Sequence, residues 1–187
     1  MRNKAFVVSI LFIVALLFVG CDGASGETPE EAVANALNAI KQLDQETMER
    51  YFPYDGPVAD LEEDEEELAK LLVGNISFNI ISSSVDGDSA TVEAEITNIN
   101  MGVILGEFLE QAMGLAMGSA FAGAEPPSDE EIEQLLHDLL KRPDNEMVTT
   151  TVTINLTKND YVDGWIINSD DAFEDAVFGG FFSATGF

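Results

Sequence analysis

Two runs within residues 76–96 carry apolar side chains on every second position. Ile76, Phe78 and Ile80 alternate with Ser77 and Asn79, and Ala90, Val92, Ala94 and Ile96 alternate with Thr91, Glu93, Glu95 and Thr97. Successive side chains of an extended chain point to opposite faces, so a half-buried strand satisfies this period and a helix does not. Asp86, Gly87 and Asp88 lie between the two runs and supply turn chemistry. The pair reads as a β-hairpin with one buried face. The alternation returns with Val148, Thr150, Val152, Ile154 and Leu156 on one face, turns at Lys158, Asn159 and Asp160, and closes with a strand over 161–168 holding Trp165, Ile166 and Ile167.

Around these strands the period is helical. Thr28-Pro29-Glu30-Glu31 combines a capping box with proline at the first helical position, and Val33, Ala36, Leu37 and Ile40 follow at helical spacing over 29–43. Asp44 caps a short helix over about 45–52, with Met48, Tyr51 and Phe52 inward, and Pro53, Gly56 and Pro57 break it. Residues 60–73 read as a helix with a solvated acidic face. A long apolar helix is expected over 101–123. Small residues four apart (Gly102 and Gly106, Gly114 and Gly118) let it pack closely on the sheet or on its neighbour. As a membrane span it is disfavoured, because Glu107 and Glu110 would each cost ~3 kcal/mol on insertion scales. Met101, Met113 and Met117 would fill gaps in a core or soften a ligand groove. A second capping box, Ser128 to Glu131, opens a helix to about Arg142 with Ile132, Leu135, Leu136, Leu139 and Leu140 inward. Ser169 is expected to cap a last helix that Gly179 and Gly180 end, leaving 181–187 as an apolar tail that docks or frays. The fold class is α+β. N-terminal helices pack on a curved antiparallel sheet of about four strands, and a helical insertion over 101–142 separates the second strand from the third. One domain spans 28–180.

The first 21 residues set the compartment. Arg2 and Lys4 precede an apolar run over 5–19, and Gly20 stands before Cys21. The run is short for a membrane span, which takes roughly 20 apolar residues. Leu17-Phe18-Val19-Gly20-Cys21 resembles the lipobox of bacterial lipoproteins. That resemblance implies a signal peptide over 1–20, cleavage between Gly20 and Cys21, and a diacylglyceryl group on the Cys21 sulfur. It places the protein at the cell membrane, lipid-anchored on the extracytoplasmic face, with residues 21–27 as lipidated Cys and tether. Asp22 resembles an inner-membrane retention signal of Gram-negative lipoproteins. Cys21 is the one cysteine, so once acylated it leaves no thiol for a disulfide or a nucleophile. Removal of residues 1–20 leaves 167 residues, enough for a domain burying roughly 70% of its unfolded surface.

Removing Arg2 and Lys4 with the signal leaves six basic against 35 acidic side chains, a net charge of −29. Such a field repels nucleic acid and anionic headgroups. His137 is the one histidine and, without a second histidine or a free cysteine, makes no zinc site of the usual kind. There is no nucleophile elbow, phosphate loop or dinucleotide fingerprint. No catalytic residue, cofactor or metal is assigned.

The order of helices then antiparallel strands, with Thr28-Pro29-Glu30-Glu31, Leu43-Asp44, Asp163-Gly164-Trp165-Ile166-Ile167 and the ending Phe173 to Gly180, resembles the nuclear-transport-factor-2-like (cystatin-like) cone of small bacterial lipoproteins. The resemblance covers about 28–100 and 146–180 and implies a concave sheet holding its helices. Tyr51, Phe52, Phe78 and Trp165 would then line the cone or form ordinary core. The expected role is a non-enzymatic envelope binding domain, taking an envelope protein or a small apolar ligand. The alternatives are a carboxylate-dependent enzyme in a cone-shaped cavity and a tethered, self-associating structural protein. The oligomeric state stays open.

Overall fold

Four strands form one antiparallel sheet in chain order: β1 (Ser77–Asp86), β2 (Ser89–Ile99), β3 (Met147–Asn159) and β4 (Gly164–Asn168). They belong to a computed structural model, which describes residues 26–53, 63–159 and 164–186. The alternation sets the register. Ala90, Val92 and Ala94 of β2 stand opposite Leu156, Ile154 and Val152 of β3, and all six are buried. The first strand is covered only at its start. The pairing slips between Ile80 and Ser82, so Ile81 is the extra residue and the side of the sheet held by Phe78 and Ile80 passes to Ser83 and Val85. Val85 stands opposite buried Ala90, yet both it and Ile81 are exposed.

Seven helices are described: α1 (Pro29–Gln42), α2 (Gln45–Tyr51), α3 (Glu63–Val73), α4 (Met101–Ala122), α5 (Asp129–Leu140), α6 (Asp171–Val177) and α7 (Phe181–Thr185). The Thr28 capping box forms: the Glu31 N–H donates to the Thr28 hydroxyl at 3.2 Å and the Thr28 N–H to the Glu31 carboxylate at 2.9 Å. From α1, Val33, Leu37 and Ile40 are fully buried against Val92, Ile96 and Ile154 of the sheet. Each such side chain contributes roughly 1.5–3 kcal/mol of transfer free energy. Phe52, which follows α2, stacks on Phe173 of α6 at 6.0 Å between centroids.

A second, smaller apolar cluster sits at the other end of β2. Ile99, Met101, Ile104, Leu139 and Leu140 form its centre, with Leu68 and Leu71 of α3 and Phe181 of α7 packed against them. Asn98 lies next to it, fully buried. Its amide donates to the carbonyls of Leu72 (2.8 Å) and Val177 (2.7 Å), and its oxygen accepts from the Ile99 N–H at 2.8 Å. One side chain thus satisfies two helix-terminal carbonyls that would otherwise be buried without a donor.

Several sequence expectations need correction. The cap of α6 is Asp170, not Ser169: the Phe173 N–H donates to the Asp170 carboxylate at 2.9 Å, while the Ser169 hydroxyl reaches Glu174. A charged acceptor three residues before the donor suits the positive end of the helix better than a hydroxyl one place further out. For the tail, where the sequence allows both docking and fraying, the described residues dock: Ser183 donates through its N–H and hydroxyl to Asp175 at 3.0 and 2.5 Å, and Phe182 meets Phe178 edge-on. The helix after Ser128 ends at Leu140. In β4 the described strand starts at Gly164, and residues 160–163 lie outside the described ones.

Candidate functional site

The four aromatics proposed to line a cone sit in or against the main core. Tyr51, Phe52 and Trp165 are buried, and Phe78 packs against the same cluster. Two of them carry a polar tip, and a buried tip needs a partner. Both find it in Glu27. The Tyr51 hydroxyl donates to the Glu27 carboxylate at 2.5 Å and the Trp165 indole N–H to the Glu27 carbonyl at 3.1 Å. Asn35 (2.7 Å) and Arg50 (3.3 Å) complete the set. Glu27, expected in the tether, is therefore held by the domain. Burial first, and the Glu27 carboxylate second, raise the Tyr51 pKa above its ordinary value. Gly20 and Cys21 lie outside the described residues.

An open cleft of about 290 Å³ lies elsewhere, between Leu71, Asn75, Ile99, Leu140, Asn145 and Met147, with Lys141 and Arg142 on its wall. Both cations are already engaged, Lys141 by Glu67 at 2.9 Å and Arg142 by Glu107. His137 stands 3.5 Å from the same Glu67. The Lys141 hydrogen bond, then its charge, then His137 hold Glu67 below the usual carboxylate range. Glu30, bonded by Ser83, and Asp44, bonded by Thr47, are shifted the same way. All three favour the charged form, the opposite of what a general acid at neutral pH requires. Among the described residues, no three His, Cys, Asp or Glu side chains converge to hold a metal ion.

The most unusual surface is α4. Its base packs through Met101 and Ile104, and its partners are α5 and α7 rather than the sheet. Beyond the base it is bare. Leu109, Met113, Met117 and Phe121 are 59%, 63%, 54% and 87% exposed. Spaced four apart, they fall in one stripe along the helix. Gly106, Gly114 and Gly118 have no neighbour within 4 Å of where a Cβ would stand. The close packing expected of these glycines is thus absent at these three, while a Cβ on Gly102, at the base, would stand 3.7 Å from Ala184 of α7. A helix apolar on every side is normally buried or in a bilayer, which is why its sequence predicts packing. No described helix is long and apolar enough to cross a membrane. The i, i+4 stripe was visible in the sequence but was masked by the apolar residues around it.

No family model matches the chain, and no curated protein does. Among solved structures, a candidate lipoprotein (ycdA) from Bacillus subtilis is similar at 17% identity and a TM-score of 0.44, over 81% of this chain and 46% of that one. The chain spans about half the length of that protein.

Proposed function

We propose that this is a lipid-anchored protein of the cell envelope, held by Cys21 on the extracytoplasmic face, that works as a non-enzymatic interaction domain through its α4–α5 hairpin. The exposed stripe on α4 carries the interaction reading: monomeric soluble proteins rarely leave so much contiguous apolar surface in water without a use for it. The lipobox-like run up to Cys21 supports the anchor, since two acyl chains hold a protein stably where one does not. The helices ahead of a four-stranded meander ending near Trp165 support kinship with the nuclear-transport-factor-2-like cone. Glu27, bonded on all sides, supports a short tether of residues 22–26.

Two measurements in the producing cell test the two halves. With Cys21→Ser, the protein is expected to leave the membrane fraction and lose incorporation of labelled fatty acid. Unchanged membrane association and processing would remove the anchor. A photoreactive residue at position 121 is expected to yield a discrete cross-linked product, and one at Ser82 on the sheet edge none. Equal yields from both would remove the hairpin as an interaction surface.

A further inference from the structure

We infer that the occupant of the α4 stripe is a cationic amphipathic helix of a second protein, an inference that rests on the interaction reading above. The stripe exposes on the order of 500–600 Å² of apolar side chain, at the upper end of what a monomer leaves uncovered. Its chemistry is selective. Between Met101 and Leu140 the chain has eight carboxylates and no lysine or arginine. Glu107 alone of the eight is in an ion pair among the described residues, with Arg142. Glu110 follows Leu109 on α4, and Asp129, Glu130 and Glu133 stand exposed on α5. An apolar stripe on a hairpin whose exposed charges are all carboxylates complements a helix with an apolar face flanked by lysine or arginine. Met113 and Met117 add unbranched side chains that adapt to a partner's shape. The open trough at Gly114 and Gly118 lets a second backbone approach.

The same charges argue against the other occupants. A second copy would bring eight more carboxylates alongside, with nothing on the hairpin to neutralise them. An anionic bilayer surface is repelled likewise.

The test uses the full chain in nanodiscs of phosphatidylcholine, read by interferometry against immobilised 18-residue peptides, with empty nanodiscs subtracted. The probes are an amphipathic Leu/Lys helix, a scrambled peptide of the same composition, and an amphipathic Leu/Glu helix. The Leu/Lys helix is expected to bind at least tenfold tighter than either control, and to lose at least tenfold when salt rises from about 50 to 500 mM. Met113→Gln, Met117→Gln and Phe121→Gln together are expected to cost at least tenfold more, with the circular dichroism and unfolding midpoint unchanged, since all three side chains are exposed. Leu/Lys binding no tighter than to the scramble, or undiminished in the variant, overturns the inference. Sedimentation equilibrium of the full chain in density-matched detergent separates the two levels of failure. A dimer that the triple substitution dissolves makes the occupant a second copy, overturning the cationic partner and keeping the interaction surface. If neither peptide binding nor self-association responds to the triple substitution, both readings fall.

Discussion

Replacing Glu27 by alanine should destabilise the domain by about 2 kcal/mol, and the structure says which contact is responsible. Three side chains donate to this carboxylate: Tyr51, Asn35 and Arg50. Arg50 and Asn35 are exposed and recover their hydrogen bonds from water. An exposed ion pair contributes about 0–1 kcal/mol. The Tyr51 side chain is 1% exposed, so its hydroxyl loses a partner that water reaches poorly, and a buried donor left unpaired costs about 1–3 kcal/mol. Tyr51→Phe removes the donor but leaves Glu27 its other two, so it should cost about 1 kcal/mol. The double substitution should then cost at least 1 kcal/mol less than the two singles together, because the orphaned hydroxyl is gone. Urea unfolding followed by the fluorescence of Trp165, the one tryptophan, measures all three variants. Heating should show the Glu27→Ala midpoint lower by about 4–8 °C for a domain of this size. Tyr51 also carries a pH signature. Its pKa is raised in the folded state, so this contribution is complete below the unfolded value near 10 and disappears as pH rises through the folded one. A Glu27→Ala protein within 0.5 kcal/mol of wild type, or a strictly additive cycle, would refute the clamp.

Two further outcomes follow from the backbone and from the charges at the hairpin's base. Gly179 has φ +60°, and a Cβ there would lie 1.9 Å from the Ile99 carbonyl oxygen, whereas Gly180 at φ +81° faces open space. Gly179→Ala should cost upward of ~3 kcal/mol and Gly180→Ala about 1 kcal/mol by thermal unfolding; equal midpoints would show that the close approach to Ile99 is not a constraint. Glu67 titrates below its ordinary 4.5 because of Lys141 and His137. Its contribution is therefore present above the unfolded pKa and is lost as pH falls through the lower folded value. Carboxyl NMR of Lys141→Met should find the Glu67 pKa moved back up, and an unmoved value would separate the two residues.

What the sequence made legible was whatever a local period or a local cap decides. The β2 face of Ala90, Val92, Ala94 and Ile96 and both capping boxes are properties of neighbouring residues, and they stand where the pattern puts them. The losses come where a distant partner decides. Glu27 looks like linker until Tyr51, 24 residues on, and Trp165, 138 residues on, bind it. Asn98 continues a strand in sequence, and only the packing of two helix ends against it makes it a buried junction. A slip in pairing that no residue of β1 announces leaves Ile81 as the extra residue and sets Val85, out of phase with Phe78 and Ile80, opposite Ala90. For α4 the period was uninformative, since side chains apolar on every side predict burial whichever face is turned inward.

The division of the core bears on what the stripe means. The main cluster draws on α1, α2, the end of α3, α6 and the sheet and holds no residue of α4 or α5. The hairpin closes only the smaller cluster, and does so with its base, through Met101, Ile104, Leu139 and Leu140. Leu109, Met113, Met117 and Phe121 belong to neither cluster. Folding therefore gains little from their being apolar, since each is more than half exposed, and glutamine at these places would serve solubility better. The proposed partner supplies a reason that the domain's own packing does not. Physically, a loss of binding at positions 113, 117 and 121 can be read as lost contact with a partner, because the domain closes without them.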